Sequence, residues 1–298
     1  MQNDDIPQRP LNTAAQIAAR NGHSAPSVTA SDHDDPAVLN EGAAMPILVR
    51  GAELAGREFP PLTWLVDGIL QRGALVVLAG RPKSGKSWLA LQAAQAIDTG
   101  APFLGKTTTR AKVCYVAAED GARRVHQRMR LRGWQPQQAD FVFALLPLDQ
   151  GGIDQLRELI AQEKYDLVVL DTLRRLTSAK IDENASGDIA EILYPLAELA
   201  KETGVTFLVV HHTGKLASDD PFNSIRGSSA IRGAYDQGIV LLREQRENGA
   251  EAEALLCFEA KDFDTDNITV SFSASHGWSY AGDAGQRDRS RATKQIAD

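Results

Sequence analysis

The chain has 298 residues, 32 of them basic and 39 acidic, for a formal net charge of −7. Apolar residues make up 43%, enough for a sizeable core, and the acidic total excludes a histone-like nucleic-acid coat while leaving room for a local basic channel. Two cysteines, Cys114 and Cys257, exclude a disulfide framework; both sit in apolar runs, as buried thiols of a reducing compartment do. No apolar run approaches the roughly 18–20 residues of a membrane span. The opening MQNDDIPQRP lacks an apolar secretory core. The expectation is a cytoplasmic protein without membrane contact.

In chain order, residues 1–45 hold no aromatic side chain and carry six acids against two bases. Such a segment buries little apolar surface and predicts a disordered acidic tail, with one weak helix at Leu11–Arg20. Residues 281–298 hold four bases against three acids and predict a second disordered tail. Between them lies one folded domain, residues 46–280. Its strands are expected at Leu75–Ala79, Lys112–Ala117, Phe141–Leu145, Leu167–Leu170, Thr206–Val210, Gly238–Leu242 and Ala254–Phe258, all runs that are apolar throughout. Helical segments alternate with them at Ser87–Ile97, Ile153–Glu163 and Ile189–Thr203. This order predicts an α/β fold, a mainly parallel twisted sheet with helices on both faces. The late runs, to about 268–272, are joined by polar hairpin-type links and predict an antiparallel C-terminal edge.

The sharpest motif is GRPKSGKS: Gly80, Arg81, Pro82, Lys83, Ser84, Gly85, Lys86 and Ser87, followed by Trp88. It matches the phosphate-binding P-loop pattern in full, after an apolar strand and before a helix, which is the context the motif requires. Glycines let backbone N–H groups face a phosphate, and the following helix N-terminus adds positive potential. Lys86 can reach the β- and γ-phosphates of ATP, and the Ser87 hydroxyl can hold Mg2+. Asp171 ends the run YDLVVLD and suits a carboxylate that completes the Mg2+ site. Thr172 follows it, so the slot next to the metal carboxylate holds no acid. The water-activating carboxylate is instead expected at Glu119, with Asp120 as the alternative, at the tip of strand Val113–Ala118 beside the P-loop strand. Both acids also suit a plain cap for the helix beginning near Gly121. His211 and His212 end another strand, where either can sense the γ-phosphate; a buried and an exposed strand-end histidine is the bland alternative.

The blocks GRPKSGKSWLALQAA, YVAAEDG, LVVLDTLRRL with ENASGD, VVHHTGK and RGSSAIRG together resemble the RecA-like P-loop ATPase family, and within it the RepA-like replicative helicases of plasmids and related AAA-type ATPases of phages and integrated elements. The resemblance covers about Phe59–Phe263, including the lead-in FPPLTWLVDGIL. It implies a RecA-like ATPase domain, a hexameric ring of subunits, and ATP between neighbours. It places Arg226 as an arginine finger acting on the neighbour's nucleotide, with Lys261 a second candidate. It also implies two pore loops for single-stranded DNA, Leu173–Gly187 with Arg174, Arg175 and Lys180, and Thr213–Ile225 with Lys215 and the one aromatic Phe222. A replication-initiation or loader protein is a further implied partner. The acids Asp182, Glu183, Asp219 and Asp220 in the same loops fit plain solvated loops equally. Five arginines over Arg123–Arg132 flank a narrow stripe of Val125 and Met129, and read more simply as a face paired with nearby acids than as a DNA contact. The competing function is a nucleotide-gated adaptor whose output is a protein contact.

Overall fold

The computed structural model describes residues 48–214, 220–243, 252–273 and 275–283. The expected tail over residues 1–45, with its helix at Leu11–Arg20, lies outside them, as does Lys215.

Among the described residues, nine strands form one sheet. In spatial order these are β11 (Gly277–Asp283), β10 (Ile268–Ser273), β9 (Ala252–Ala260), β8 (Gln237–Arg243), β3 (Leu75–Gly80), β7 (Thr206–His212), β6 (Leu167–Asp171), β4 (Val113–Ala117) and β5 (Ala139–Val142). From β8 to β5 every pairing is parallel; β8–β9, β9–β10 and β10–β11 are antiparallel. The mainly parallel sheet with an antiparallel C-terminal edge therefore stands as expected. A separate pair, β1 (Trp64–Val66) with β2 (Leu70–Gln71), forms from the lead-in. The helices are α1 (Gly51–Ala55), α2 (Lys86–Thr99), α3 (Ala122–Leu131), α4 (Gly152–Glu163), α5 (Ser186–Thr203) and α6 (Ser228–Ala234).

Strand alternation sorts the apolar runs onto two faces. Val76 and Leu78 of β3 join Leu89, Ala90 and Ala93 of α2 in one core. Leu75, Val77 and Ala79 join Leu193, Leu196 and Ala200 of α5 in the other. An uninterrupted apolar strand thus serves helices on both sides. Because six strands run the same way, Gly80, Ala117, Asp171, His212 and Arg243 all end at one edge of the sheet. Lys261 sits at the opposite edge, where it contacts Asp236 at 3.3 Å; the other carboxylate oxygen of Asp236 takes the Leu75 N–H at the start of β3.

Three expectations change. The fifth strand is Ala139–Val142, so Phe143–Leu145 leave the sheet; an edge strand pairs on one side only and ends where that pairing stops. Strand β4 is not beside the P-loop strand, because β7 and β6 lie between them. Ala281–Asp283, expected in the C-terminal tail, belong to β11, where Gly282 and Asp283 pair with β10; residues 284–298 lie outside the described residues.

The end of α2 is fixed by Asp98, which is fully buried. Its carboxylate accepts from Trp134 Nε1 at 2.9 Å, Gln137 N at 2.9 Å and Gln138 N at 2.7 Å. Removing it strands those donors. Asp98→Ala should cost about 2–4 kcal/mol in urea unfolding.

Candidate functional site

The P-loop runs from the tip of β3 into α2. A Cβ on Gly80 would lie 2.9 Å from Leu241 O, and Gly85 adopts φ 103° with Trp278 where a Cβ would go. Both positions need glycine for room or conformation. Lys86 is buried, and its Nζ donates to Gly80 O at 2.8 Å and Arg81 O at 2.9 Å. His212 Nδ1 lies 3.4 Å from the same ammonium. Burial pushes the Lys86 pKa down to about 8 against the pull of Asp171 and Glu119.

Asp171, at the tip of β6, receives Ser87 Oγ at 3.0 Å on one carboxylate oxygen and Tyr115 OH at 2.6 Å on the other. Burial raises its pKa to about 6, and those two hydrogen bonds work against the rise. The β4 tip is tied to the same place, since Ala118 N and Glu119 N both donate to Asp171 O. Glu119 is exposed and its Oε2 accepts from Thr172 Oγ1 at 3.3 Å. Hydroxyl and carboxylate oxygens converging at a P-loop are the hard donor set that Mg2+ takes. Ser84 Oγ is buried in the same loop without a hydrogen-bond partner.

Asp120 has a different task. Its buried carboxylate binds Arg124 at 2.6 Å and also Arg128. It is therefore enclosed by guanidinium groups. Arg128 also lies over the half-buried Trp88 ring, and Arg132 donates to Gln95 Oε1 at 2.5 Å and His276 O at 2.9 Å. Three of the five arginines of this segment are thus committed within the chain.

The histidines separate. His211 is fully buried, with Nε2 3.1 Å from Arg226 O and Nδ1 lacking a partner; burial lowers its pKa to about 4. His212 faces Lys86, and burial followed by that charge lowers its pKa. Arg226 is held close by, through Arg226 N to His212 O at 3.3 Å and an ion pair with Glu183. Among the pore-loop candidates Arg174, Arg175 and Lys180 are exposed. Phe222 is buried beneath Arg232 and offers no free face for a base.

Sequence reasoning missed Tyr115, Glu183, Arg243 and Trp278. The alternation of β4 puts Tyr115, Ala117 and Glu119 on one side, a usable signal for Tyr115. Trp278 reaches Gly85 O at 3.1 Å across 193 residues, and no local pattern signals that contact.

The profile of the AAA domain family matches residues 43–218, more than half of the chain. The chain belongs to that family. Its matched segment holds the P-loop, Glu119, Asp171 and both histidines, whereas Arg226, Lys261 and Trp278 lie beyond it. Among curated relatives, the DNA repair protein RadA of Aquifex aeolicus is 25% identical over 162 residues, 54% of this chain and 33% of that protein. RadA of Chlamydia pneumoniae is 26% identical over 155 residues, 51% of this chain and 30% of that protein. The aligned stretch thus spans about a third of either relative. A KaiC-like protein of Pyrococcus horikoshii OT3 shares the fold at TM-score 0.53 and 18% identity, over 73% of this chain and 93% of that one. The chain thus joins an AAA-domain family sequence to the fold of the KaiC-like protein.

The Asp171 carboxyl binds its proton more tightly in the folded state than at its ordinary value of 3.8. Stability from this group is therefore full below about pH 4 and lost as pH rises through about 6. Asp171→Asn, which stays neutral, should escape that loss. Measured by denaturation in metal-free buffer, the variant should gain on the parent between about pH 4 and pH 6, reaching roughly 1–3 kcal/mol at pH 7.

Proposed function

We propose that this chain is an ATP-hydrolysing ring motor on DNA, a RepA-like replicative helicase of a plasmid, phage or integrated element. The observation that carries the reading is the convergence at one sheet edge of Lys86, the 3.0 Å Ser87–Asp171 pair, Glu119 and His212. Backbone N–H groups of Gly80–Ser87 and the N-terminus of α2 would hold the phosphates, beside Trp88. Lys86 would exchange two carbonyl partners for phosphate oxygens. Ser87 and Asp171 would hold Mg2+, which neutralises charge on the β- and γ-phosphates when bound. Tyr115 holds the second Asp171 oxygen, so the first faces Ser87. Glu119, oriented by Thr172, would position the attacking water and accept its proton. His212 is the better placed γ-phosphate sensor, and His211 would pass its displacement to the Arg226 backbone. Arg226 would exchange Glu183 for the phosphate of a neighbouring subunit in a hexameric ring.

DNA as the track is supported by two independent points: the curated relatives are named DNA repair proteins, and Arg174, Arg175 and Lys180 stand exposed on the loop after Asp171. Single-stranded DNA would bind there by phosphate contact. A replication-initiation or loader protein would be a partner, and a cytoplasmic setting fits; no helix among the described residues is long and apolar enough to cross a membrane. One observation favours the second reading, a nucleotide-gated adaptor acting through protein contact. Among the described residues, Arg124, Arg128 and Arg132 are paired internally and Phe222 is buried, so these groups are withdrawn from DNA.

The readings separate in one assay. ATPase turnover should rise with single-stranded DNA at ~0.1 M salt, the stimulation should fall steeply with added salt, and a forked duplex should be opened. Turnover indifferent to DNA with no strand separation would sink the motor and leave the adaptor. Glu119→Gln should lower kcat by about 10²–10⁴ while Mg·ATP still binds; near-normal turnover would remove Glu119 from the water-positioning role.

A further inference from the structure

The outer side of the P-loop is contacted from β8 and β11. Trp278, 1% exposed at the start of β11, donates from Nε1 to Gly85 O at 3.1 Å. Its ring fills the space a Cβ on Gly85 would need, 2.7 Å away. Arg243, at the tip of β8, lies over the rings of Phe272 and Trp278 and its Nη1 is 3.4 Å from Ser84 O. Two consecutive loop carbonyls thus take donors from these strands, and Gly85 O also takes the Leu89 N–H of α2 at 3.0 Å. The indole is itself pinned to α2, since Trp278 N donates to Gln92 Oε1 at 2.9 Å and Gln92 Nε2 donates to Trp278 O at 2.6 Å.

A phosphate nest works only when its N–H groups point inward, and a peptide plane that turns its carbonyl outward turns its N–H the other way. The first half of the loop is organised by Lys86 through Gly80 O and Arg81 O. Those contacts are given up when Lys86 turns to phosphate. The second half carries no such dependence on Lys86, because its carbonyls are held from β8, from β11 and, at Gly85, from the first turn of α2.

We propose that Trp278 and Arg243 are positioning residues for nucleotide binding, holding the Ser84 and Gly85 peptides with their N–H groups turned to the phosphates. This rests on the nucleotide-site reading of the P-loop. The brace comes from strands outside the matched family segment, so it is a property of this chain's C-terminal edge.

The test is titration of the full chain with Mg·ADP, well below the melting temperature. Trp278→Phe keeps an aromatic ring and deletes the Nε1–H donor. It should weaken Mg·ADP binding about three- to tenfold, the loss of one hydrogen bond in affinity terms. Arg243→Met removes the second contact and should act in the same direction with a smaller effect; it carries the test if Trp278→Phe does not fold. Ile268→Val, which trims a buried side chain of β10 in the same hairpin, is the structural control: its Tm should fall while Mg·ADP affinity holds. Parent-like affinity in both brace variants, or an equal loss in Ile268→Val, overturns the proposal. Absence of Mg·ADP binding by the parent chain would instead overturn the nucleotide-site reading, and with it the premise of the brace.

Discussion

The structure turns on one buried carboxylate. Asp171 sits where α2, β4 and β6 meet, and each element contributes to its position: Ser87 from α2, Tyr115 from β4, and the β6 backbone that carries it. Burying a carboxylate is costly in itself, and its raised pKa records that cost. Tyr115 and Ser87 offset part of it with hydrogen bonds. The balance leaves a carboxyl at the sheet edge that holds its proton more tightly than an exposed acid does.

The rest of the edge is arranged around that point. The β4 tip is anchored to the Asp171 carbonyl through Ala118 and Glu119, which brings Glu119 near without making β4 a neighbour of the P-loop strand. His212 stands at Lys86, while His211 and the Arg226 backbone carry the β7 tip into the next loop. Glu183 closes that loop onto the one following Asp171 through its pair with Arg226. Events at Lys86 therefore have a short covalent and hydrogen-bonded path to both loops. On the other flank, Trp278 and Arg243 fix the outer face of the P-loop from the antiparallel edge.

Much of this was legible in the sequence, for definite reasons. The strands β3, β4, β6, β7 and β8 are nearly continuous apolar runs because both their faces are covered by helices or by other chain. GRPKSGKS announces itself because backbone geometry at a phosphate demands glycines and a lysine at fixed spacing. Asp171 is legible because an acid ending such a run lies at the carboxyl edge. Strand β11 was illegible because only its first two residues are buried, and GWSYAGD carries too few apolar residues to stand out. The segment Phe141–Leu145 misled for the opposite reason, being apolar beyond the point where pairing with β4 ends. Arg226 and Asp120 were read by motif position, which says nothing of the nearest opposite charge.

What the sequence determined by itself is the chemistry of the loop and the class of fold. Both follow from spacing along the chain: where glycines permit a turn, where apolar residues outlast a strand face, where an acid or histidine ends a run. What only the tertiary structure decided is partnership. Strand order placed β6 and β7 between β4 and β3, gave Asp120 to Arg124 and Arg128, gave Arg226 to Glu183, and brought Trp278 across 193 residues to Gly85. Such contacts depend on how strands stack sideways, and hydrogen-bond and charge energies fall off within a few ångströms whatever the distance along the chain.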